Sequence, residues 1–419
     1  MELFADESSD DEDIAANVVT FCHSILRKRN LRVWTKDKMI QKAFQIEEIV
    51  NEDCDVVLNG DEKKVRRGGI LIYLSLQSEA FSNVNLSNDW QEIKSSTFMK
   101  VYQRRYVLSE MKENIQEHDR IRQVVAIDEE SAIKLLRKHG VVIIPKFIQK
   151  EMLERYAQNA LNKFEGIRRA AIENHGIDFL GMGEGANFRE IENREYFRFD
   201  VRLSLNENDN DLALEQKEKF NFVSRICRMA ATPTEATPYI DGNFGRYNFN
   251  DSGPRSNRSP LPLGAAGCVL TFPGAADQAL HADTPHIFDH ISLPGHYFNL
   301  FLAAPQTVED PQAGLTAFVL GSHRLDICSS LLSNSDDHHQ QYDNVKSSRS
   351  VLHRLQPFLI RPRLHAGDAV IFDARILHFG LANTGNIPRP LLYFNFHEAW
   401  FREPKQWMTH LSVFSKVMT

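Results

Sequence analysis

The sequence predicts an α+β protein whose larger part is a β-sandwich or barrel with helices packed on its outside. Two observations predict it. Between residues 129 and 164 apolar residues recur at helical spacing, interrupted by a glycine and a proline. From about residue 197 the text changes to short β-branched and aromatic runs separated by Gly, Pro and Asn, the pattern of many short strands joined by turns. Helices that lead into such strands bury their apolar faces on them. Material for a bulky core is ample: 42% of residues are hydrophobic and 27 are Phe.

In chain order, residues 6–13 read Asp-Glu-Ser-Ser-Asp-Asp-Glu-Asp, a like-charge block expected as a solvated, disordered tail over residues 1–13. Residues 14–125 read as a smaller N-terminal α/β region with an accessory role that the residues do not define. In it, Ile14–Lys28 has helical spacing (Val18, Phe21, Ile25, Leu26), and Ile70–Leu76, after two glycines, reads as a strand. The basic run Lys63-Lys64-Val65-Arg66-Arg67 is expected in a solvated turn.

A sharper unit covers residues 126–419. Glu129–His139 is a predicted helix with Ile133, Leu135 and Leu136 on one pattern, and Gly140 stands where a left-handed helix stop belongs. Val141–Ile144 is a predicted buried strand ahead of Pro145. Lys150–Phe164 is a predicted amphipathic helix carrying Leu153, Tyr156, Ala160 and Phe164. Predicted strands follow at Phe197–Leu203, Gly267–Phe272, Ala279–Asp283, His296–Ala303, Leu315–Leu320, Ala369–Phe372, Arg375–Phe379 and Leu391–Phe396. Asn206–Asp211 and Ser333–Ser350, the latter with His338 and His339, read as polar inserted loops.

Composition excludes several functions. The chain has 419 residues, more than one compact core needs, so two or more units are expected. The net charge of −7 and pI of about 6.2 give no electrostatic case for nucleic acid or an anionic membrane. Five cysteines (Cys22, Cys54, Cys227, Cys268, Cys328) include no CxxC pair, which argues against a disulfide framework and for a reducing compartment. No secretion signal, membrane span or C-terminal peroxisomal tripeptide is read, so a cytoplasmic location is expected, with a nuclear one left open.

The chemistry is concentrated in His281-Ala282-Asp283, His378 and Arg389. On an extended strand, positions two apart share a face, so His281 and Asp283 project together. His378, on its own predicted strand, can supply a third ligand. Two histidines and one carboxylate on one face of a metal leave open positions for a co-substrate and dioxygen, the arrangement of non-haem Fe(II) oxygenases. Zinc hydrolases usually present HExxH, and none occurs here. The HxD occurs once and is weak alone. Its context strengthens it: Arg389, between Pro388 and Pro390, can form a bidentate pair with the far carboxylate of a keto acid.

Taken together these segments resemble the phytanoyl-CoA dioxygenase family of 2-oxoglutarate oxygenases. The matching text includes the helix–Gly140–Val-Val-Ile-Ile-Pro145 opening, Arg198-Phe-Asp200-Val-Arg-Leu203 and Phe272-Pro-Gly274 with Gln278-Ala-Leu-His281-Ala-Asp283. It continues through Asn299-Leu-Phe-Leu-Ala, Gly314-Leu-Thr-Ala-Phe-Val-Leu-Gly-Ser-His323-Arg, His365-Ala-Gly-Asp368 and His378-Phe-Gly-Leu-Ala-Asn383 with Arg389. The resemblance spans about residues 127–400. It implies a double-stranded β-helix (jelly-roll or cupin-like) core with flanking helices. It also implies iron ligands at His281, Asp283 and His378, and a 2-oxoglutarate clamp at Arg389. One departure is that no Trp stands near Phe298-Asn299-Leu300, where many relatives have one; Asn299 is the substitute candidate for a 2-oxoglutarate contact. Asp283 is retained, unlike in halogenating relatives.

The expected cofactors are Fe(II), 2-oxoglutarate as co-substrate and O2, with ascorbate as a reductant. The expected activity is hydroxylation of a small organic substrate with release of succinate and CO2. Arg246-Tyr247-Asn248 is a further candidate, with Tyr247 reaching the co-substrate. His286, His290 and His323 read as loop or packing histidines, and Gly367-Asp368 as a structural turn. Two other readings stand beside this one. One is a non-catalytic jelly-roll binding or scaffold protein that keeps a metal site and engages a protein partner through the N-terminal region. The other is a metal-dependent isomerase or hydrolase on the same core.

Overall fold

A computed structural model gives the fold. It describes residues 115–180, 187–195, 197–203, 217–235, 237–238, 247–249, 260–304, 311–332, 354–402 and 410–415, together with the backbone of six further strands. Five of these precede the main body: β1 (Val33–Thr35), β2 (Cys54–Leu58), β3 (Val65–Leu74), β4 (Trp90–Ser95) and β5 (Met99–Arg104), in the sheet order β1-β2-β3-β5-β4. The first two pairings are parallel and the last two antiparallel. β3 takes in the predicted strand at Ile70 and also Val65-Arg66-Arg67, so that part of the basic run is extended ladder and no turn. The acidic block, the predicted helix at 14–28, the loops at 206–211 and 333–350, and Arg246 lie outside the described residues.

α1 (Ile115–Arg122) opens the main body, tied to it by the Glu117–Arg361 ion pair at 2.7 Å, and α2 (Glu129–His139) follows. Its start is a capping box, in which Asp128 Oδ1 accepts from the Ser131 amide at 2.8 Å and Ser131 Oγ accepts from the Asp128 amide at 3.0 Å. Its stop is Gly140 at φ 78°, as the sequence predicts. A side chain there would also collide with the His323 ring, so only glycine suits both the turn and the packing. β6 (Val141–Ile144) follows, then α3 (Lys150–His175), which runs well past the predicted Phe164 because Ile167, Ala170 and Ala171 continue its apolar stripe.

The remaining elements are β7 (Ile191–Glu195), β8 (Arg198–Leu203), α4 (Lys217–Ala230), β9 (Asn243–Phe244), β10 (Tyr247–Asn248), β11 (Leu263–Thr271), β12 (Tyr297–Ala303), β13 (Thr316–Val319), α5 (Leu325–Leu332), β14 (Leu359–Ile360), β15 (Ala369–Asp373), β16 (His378–Gly380) and β17 (Arg389–His397). Seven strands form one sheet, β6-β15-β12-β17-β11-β8-β7, and every neighbouring pair is antiparallel. A second, three-stranded antiparallel sheet, β14-β13-β16, packs on its β15 end, where Phe318 meets Phe372 at 5.2 Å between ring centroids.

Strand alternation decides what each face of the large sheet does. Phe199 and Val201 of β8, Cys268 and Leu270 of β11, Leu300 of β12 and Leu392 and Phe394 of β17 all point to the helical side, into one core with α2, α3 and α4. Phe164 of α3 lies 5.2 Å from Phe199 and 4.9 Å from Phe272. Burying each such ring stabilises the fold by about 1.5–3 kcal/mol. The opposite face of the same strands carries the polar and charged residues described below. No described helix is long and apolar enough to cross a membrane. The result is a mixed α/β body with a large antiparallel sheet in a jelly-roll-like arrangement.

Two predicted strands are mostly irregular chain. Within Ala279–Asp283 only His281 makes a ladder contact, an isolated antiparallel bridge to His378. Of Arg375–Phe379, residues 375–377 form the turn before β16. There the Asp373 carboxylate bonds the Arg375 amide at 3.0 Å and its guanidinium at 2.8 and 2.6 Å, holding the chain out of the ladder.

Candidate metal centre and its cavity

The His281–His378 bridge is what joins the two distant ligand segments. Each residue's amide donates to the other's carbonyl, at 3.0 and 2.8 Å. The rings follow, with centroids 4.5 Å apart. Asp283, two residues on, brings Oδ2 to 3.7 Å from His378 Nε2. One ligand atom from each of the three lies within 4.8 Å of the others, and among the described residues no other group of three or more His, Cys, Asp or Glu does so.

The imidazoles are set for metal. His281 Nδ1 sits 2.8 Å from the Ala279 carbonyl and His378 Nδ1 2.9 Å from the Ile376 carbonyl. A carbonyl only accepts, so each Nδ1 carries the proton and each Nε2 keeps its lone pair. Burial, with His378 beside it, pulls the His281 pKa down to about 3, which keeps that ring neutral at physiological pH. The carboxylate is oriented as well. Asn299 Nδ2 donates to Asp283 Oδ2 at 2.5 Å, and Asn299 Oδ1 accepts from Asn395 Nδ2. Asn299 thus engages a candidate ligand directly.

These groups open into a cavity of about 430 Å³ between the sheets. β17 lines it with Arg389, Leu391, Tyr393 and Asn395, one face of a single strand; β12 adds Tyr297, Asn299 and Phe301. Gln278 also faces the cavity. Its Oε1 accepts from the Gly380 amide at 3.0 Å, against a residue where a side chain would come within 2.7 Å of that oxygen. Strand parity would turn Gln278 away from His281, but the segment is not a regular strand, so the parity rule fails there.

Arg389 is 2% exposed, and its Nε has no hydrogen-bond partner. Burial, reinforced by the nearby Arg198 guanidinium, pulls its pKa down to about 9, so it remains a cation at neutral pH. Its base is rigid. Asn383 Nδ2 donates to the Thr271 and Ile387 carbonyls at 2.8 and 2.9 Å, tying the preceding loop to β11. Arg198, fully buried, laces the same corner through the Ala276 and Leu381 carbonyls at 3.0 and 3.1 Å. A desolvated cation held this way is costly unless an anion completes it.

Tyr247 is not brought to this cavity. It lies in an aromatic cluster, stacked on Phe401 with centroids 5.9 Å apart. The sequence reading did not single out Arg194, Arg202, Tyr393 or Asn395. The last two were legible, since they share the face of Arg389 by strand parity. Arg194 was not, because no strand is predicted at Ile191–Glu195 along which its face could be counted.

His286, His296 and His323 form a separate polar group with Asp373 and Arg375. Burial lowers their pKa values to about 4, 3 and 4, and each has one ring nitrogen without a partner. Arg375 likewise holds the Asp373 carboxyl well below its ordinary value against the opposing effect of burial. For the histidines the unfolded chain binds protons near pH 6.5 that the folded chain refuses, so stability falls as pH drops from about 6.5 towards 3. The Asp373 contribution is present above the ordinary Asp range and is lost in the same direction as pH falls further. The melting temperature is therefore expected to decline steadily below pH 6.5; a flat profile between pH 6.5 and 4.5 would show that these rings protonate in the folded state.

Fold and site together define a mixed α/β protein that gathers two histidines and a carboxylate at the mouth between two antiparallel sheets. No family model matches the chain. Among solved structures it is similar to SnoN, a non-heme α-ketoglutarate-dependent epimerase from nogalamycin biosynthesis, at 14% identity over 68% of this chain and 87% of that one, with a TM-score of 0.39. It is similar to AviO1 from Streptomyces viridochromogenes Tue57, at 18% identity over 67% and 99%, TM-score 0.37. It is also similar to HygX from Streptomyces hygroscopicus, solved with nickel and 2-oxoglutarate bound, at 13% identity over 67% and 90%, TM-score 0.36. Likeness this distant assigns nothing to the present chain.

Proposed function

We propose that the chain is an Fe(II)- and 2-oxoglutarate-dependent dioxygenase of the phytanoyl-CoA dioxygenase type, built on a double-stranded β-helix, and that it hydroxylates a small organic substrate. One observation carries this reading. A single cavity holds three metal-ligating groups with their lone pairs already directed, and also a buried guanidinium whose Nε lacks an acceptor. A hydrolytic metal site requires only the first feature. A keto acid needs both, because one end chelates the metal while the other carries a carboxylate.

In this reading His281, Asp283 and His378 hold the iron, and Arg389 takes the far carboxylate of 2-oxoglutarate. When bound, iron and 2-oxoglutarate together with O2 supply the oxidant that attacks a C–H bond, with succinate and CO2 as co-products. The protein's own contributions are geometric and electrostatic. The Ala279 and Ile376 carbonyls fix the imidazole tautomers, Asn299 holds one Asp283 oxygen, and Asn383 and Arg198 fix the corner from which Arg389 projects. Apolar Val269, Phe301 and Leu391 limit water beside the reacting groups. All of these residues fall within 126–419, which we take as the catalytic unit; residues 14–125 then act as an accessory region open to a protein partner.

The test uses the full chain with Fe(II), ascorbate and 2-oxoglutarate. Under anaerobic conditions a visible metal-to-keto-acid absorption band is expected, and in air succinate release even before the true substrate is found. A protein that binds iron but gives neither band nor succinate would be a binding or scaffold protein instead.

A further inference from the structure

Two side-chain amides form a chain from Asp283 into the cavity. Asn299 and Asn395 stand opposite each other across β12 and β17. Asn299 Nδ2 donates to Asp283 Oδ2 at 2.5 Å, and Asn395 Nδ2 donates to Asn299 Oδ1. The direction of the chain is set at its Asp283 end. An ionised carboxylate only accepts, so Asn299 must turn Nδ2 towards it; that leaves Asn299 Oδ1 facing Asn395, which must answer with its own Nδ2. The amide oxygen of Asn395 is thereby turned away from Asn299. It has no partner among the described residues, although Asn395 is only 5% exposed and lines the cavity.

Building on the dioxygenase reading, we propose that Asn395 reads the acceptor substrate: its Oδ1 receives an O–H or N–H of the substrate, and the chain through Asn299 passes that contact on to Asp283.

A buried acceptor with nothing to accept favours a ligand that brings the donor, because an analogue lacking it leaves the group unpaired. The adjacent hydroxyl on the same strand face does not fill the role, since Tyr393 donates to Asp200 Oδ1 at 2.9 Å. Arg389 and Asn395 both face the cavity from β17 but stand at opposite ends of that wall, six residues or about 20 Å of strand apart. The co-substrate carboxylate and the substrate donor are thus addressed at separate places. Ala265 and the Tyr297 ring line the cavity near Asn395, and within about 430 Å³ for both ligands they suit a donor mounted on a compact apolar body. Hydrogen bonds in series polarise one another. A donor on Asn395 Oδ1 therefore strengthens the hold of Asn299 on Asp283 and lowers the charge this carboxylate offers a metal.

The test is anaerobic calorimetry with visible spectroscopy on the full-length Fe(II)–2-oxoglutarate complex. Matched probes are benzyl alcohol against benzyl methyl ether, cyclohexanol against cyclohexyl methyl ether, and benzamide against N,N-dimethylbenzamide. In at least one pair the donor is expected to bind tenfold or more tighter than its capped partner, and the pair that shows it tells O–H from N–H. The same probe should move the visible band to shorter wavelength. Asn395→Leu should bring the ratio to about one and abolish the shift. Asn395→Asp keeps an acceptor of the same size but has no donor for Asn299, so it should keep the preference and lose the shift; a packing role alone would not divide the two readouts. Absence of a donor preference in every pair, a preference that survives Asn395→Leu, or a band shift that survives Asn395→Asp overturns the proposal. So does Asn395→Leu weakening the 2-oxoglutarate titration tenfold while the probe ratio holds, which would give this residue to the co-substrate. The same probes titrated into metal-free protein keep the question separate: a donor preference there, lost in Asn395→Leu, with no visible band in the loaded protein would sink the dioxygenase reading and leave the Asn395 contact standing.

Discussion

His281→Ala is expected to abolish stoichiometric Fe(II) binding and to reduce succinate formation by on the order of a thousandfold or more, since a bound metal supplies several kcal/mol of stabilisation to its reaction. The expectation rests on how few groups are available. Among the described residues only His281, Asp283 and His378 bring ligand atoms within 4.8 Å of one another, so no fourth protein group is placed to substitute. The fold should survive the change. The His281–His378 bridge is made by main-chain amides and carbonyls, which alanine retains. Metal content after gel filtration, with circular dichroism as the control, reads the result. A folded variant with wild-type iron content would remove His281 from the ligand set. His378→Ala should behave alike, although it also removes packing, because that ring stacks on Phe318 at 5.9 Å and meets Phe372 at 5.1 Å.

Arg389→Met is expected to separate function from stability in opposite directions. Losing a desolvated, charge-assisted pair costs about 2–4 kcal/mol, so the 2-oxoglutarate requirement should rise roughly 30- to 1000-fold. The metal-free protein should meanwhile become more stable, by on the order of 1–4 kcal/mol, because a 2%-exposed guanidinium whose Nε has no acceptor gives way to an apolar side chain of similar length. Wild type should recover the difference on adding 2-oxoglutarate and metal, and the variant should not. Thermal melts with and without the co-substrate, beside a 2-oxoglutarate titration, measure both effects. An unchanged titration would mean that Arg202 or Arg194 receives the co-substrate. A destabilised metal-free variant would mean that Arg389 is satisfied in the folded protein without any ligand.

Much of the fold was legible because local rules and tertiary packing agree. Gly140 was read as a left-handed helix stop from its place after Glu129–His139, and it has φ 78°. The strands at 198–203, 297–303, 369–373 and 389–397 follow β-branched and aromatic runs whose parity matches the helical core. Reading failed where a local rule was overridden. α3 continues to His175 because its apolar stripe outlasts Phe164. Asp373 and Arg375 hold a turn where a strand was expected. Tyr247, adjacent in sequence to other polar candidates, is drawn into the aromatic cluster of Phe249, Trp400 and Phe401.

The order of residues by itself determined which side chains can carry metal and keto-acid chemistry: one HxD, one histidine on a separate short strand, and one arginine between prolines. It also determined the face of β17 that follows from Arg389, because strand parity is a local property of the backbone. Only the tertiary structure decided that His281 and His378 share a bridge, that Asn299 turns to Asp283, that Arg389 is buried with an unmet Nε, and that β7 pairs with β8 so that Arg194 reaches the same cavity as Arg202. Parity is local and can be counted along a chain. Which two strands become neighbours, and where a register slips by one residue, depend on the packing of the whole core.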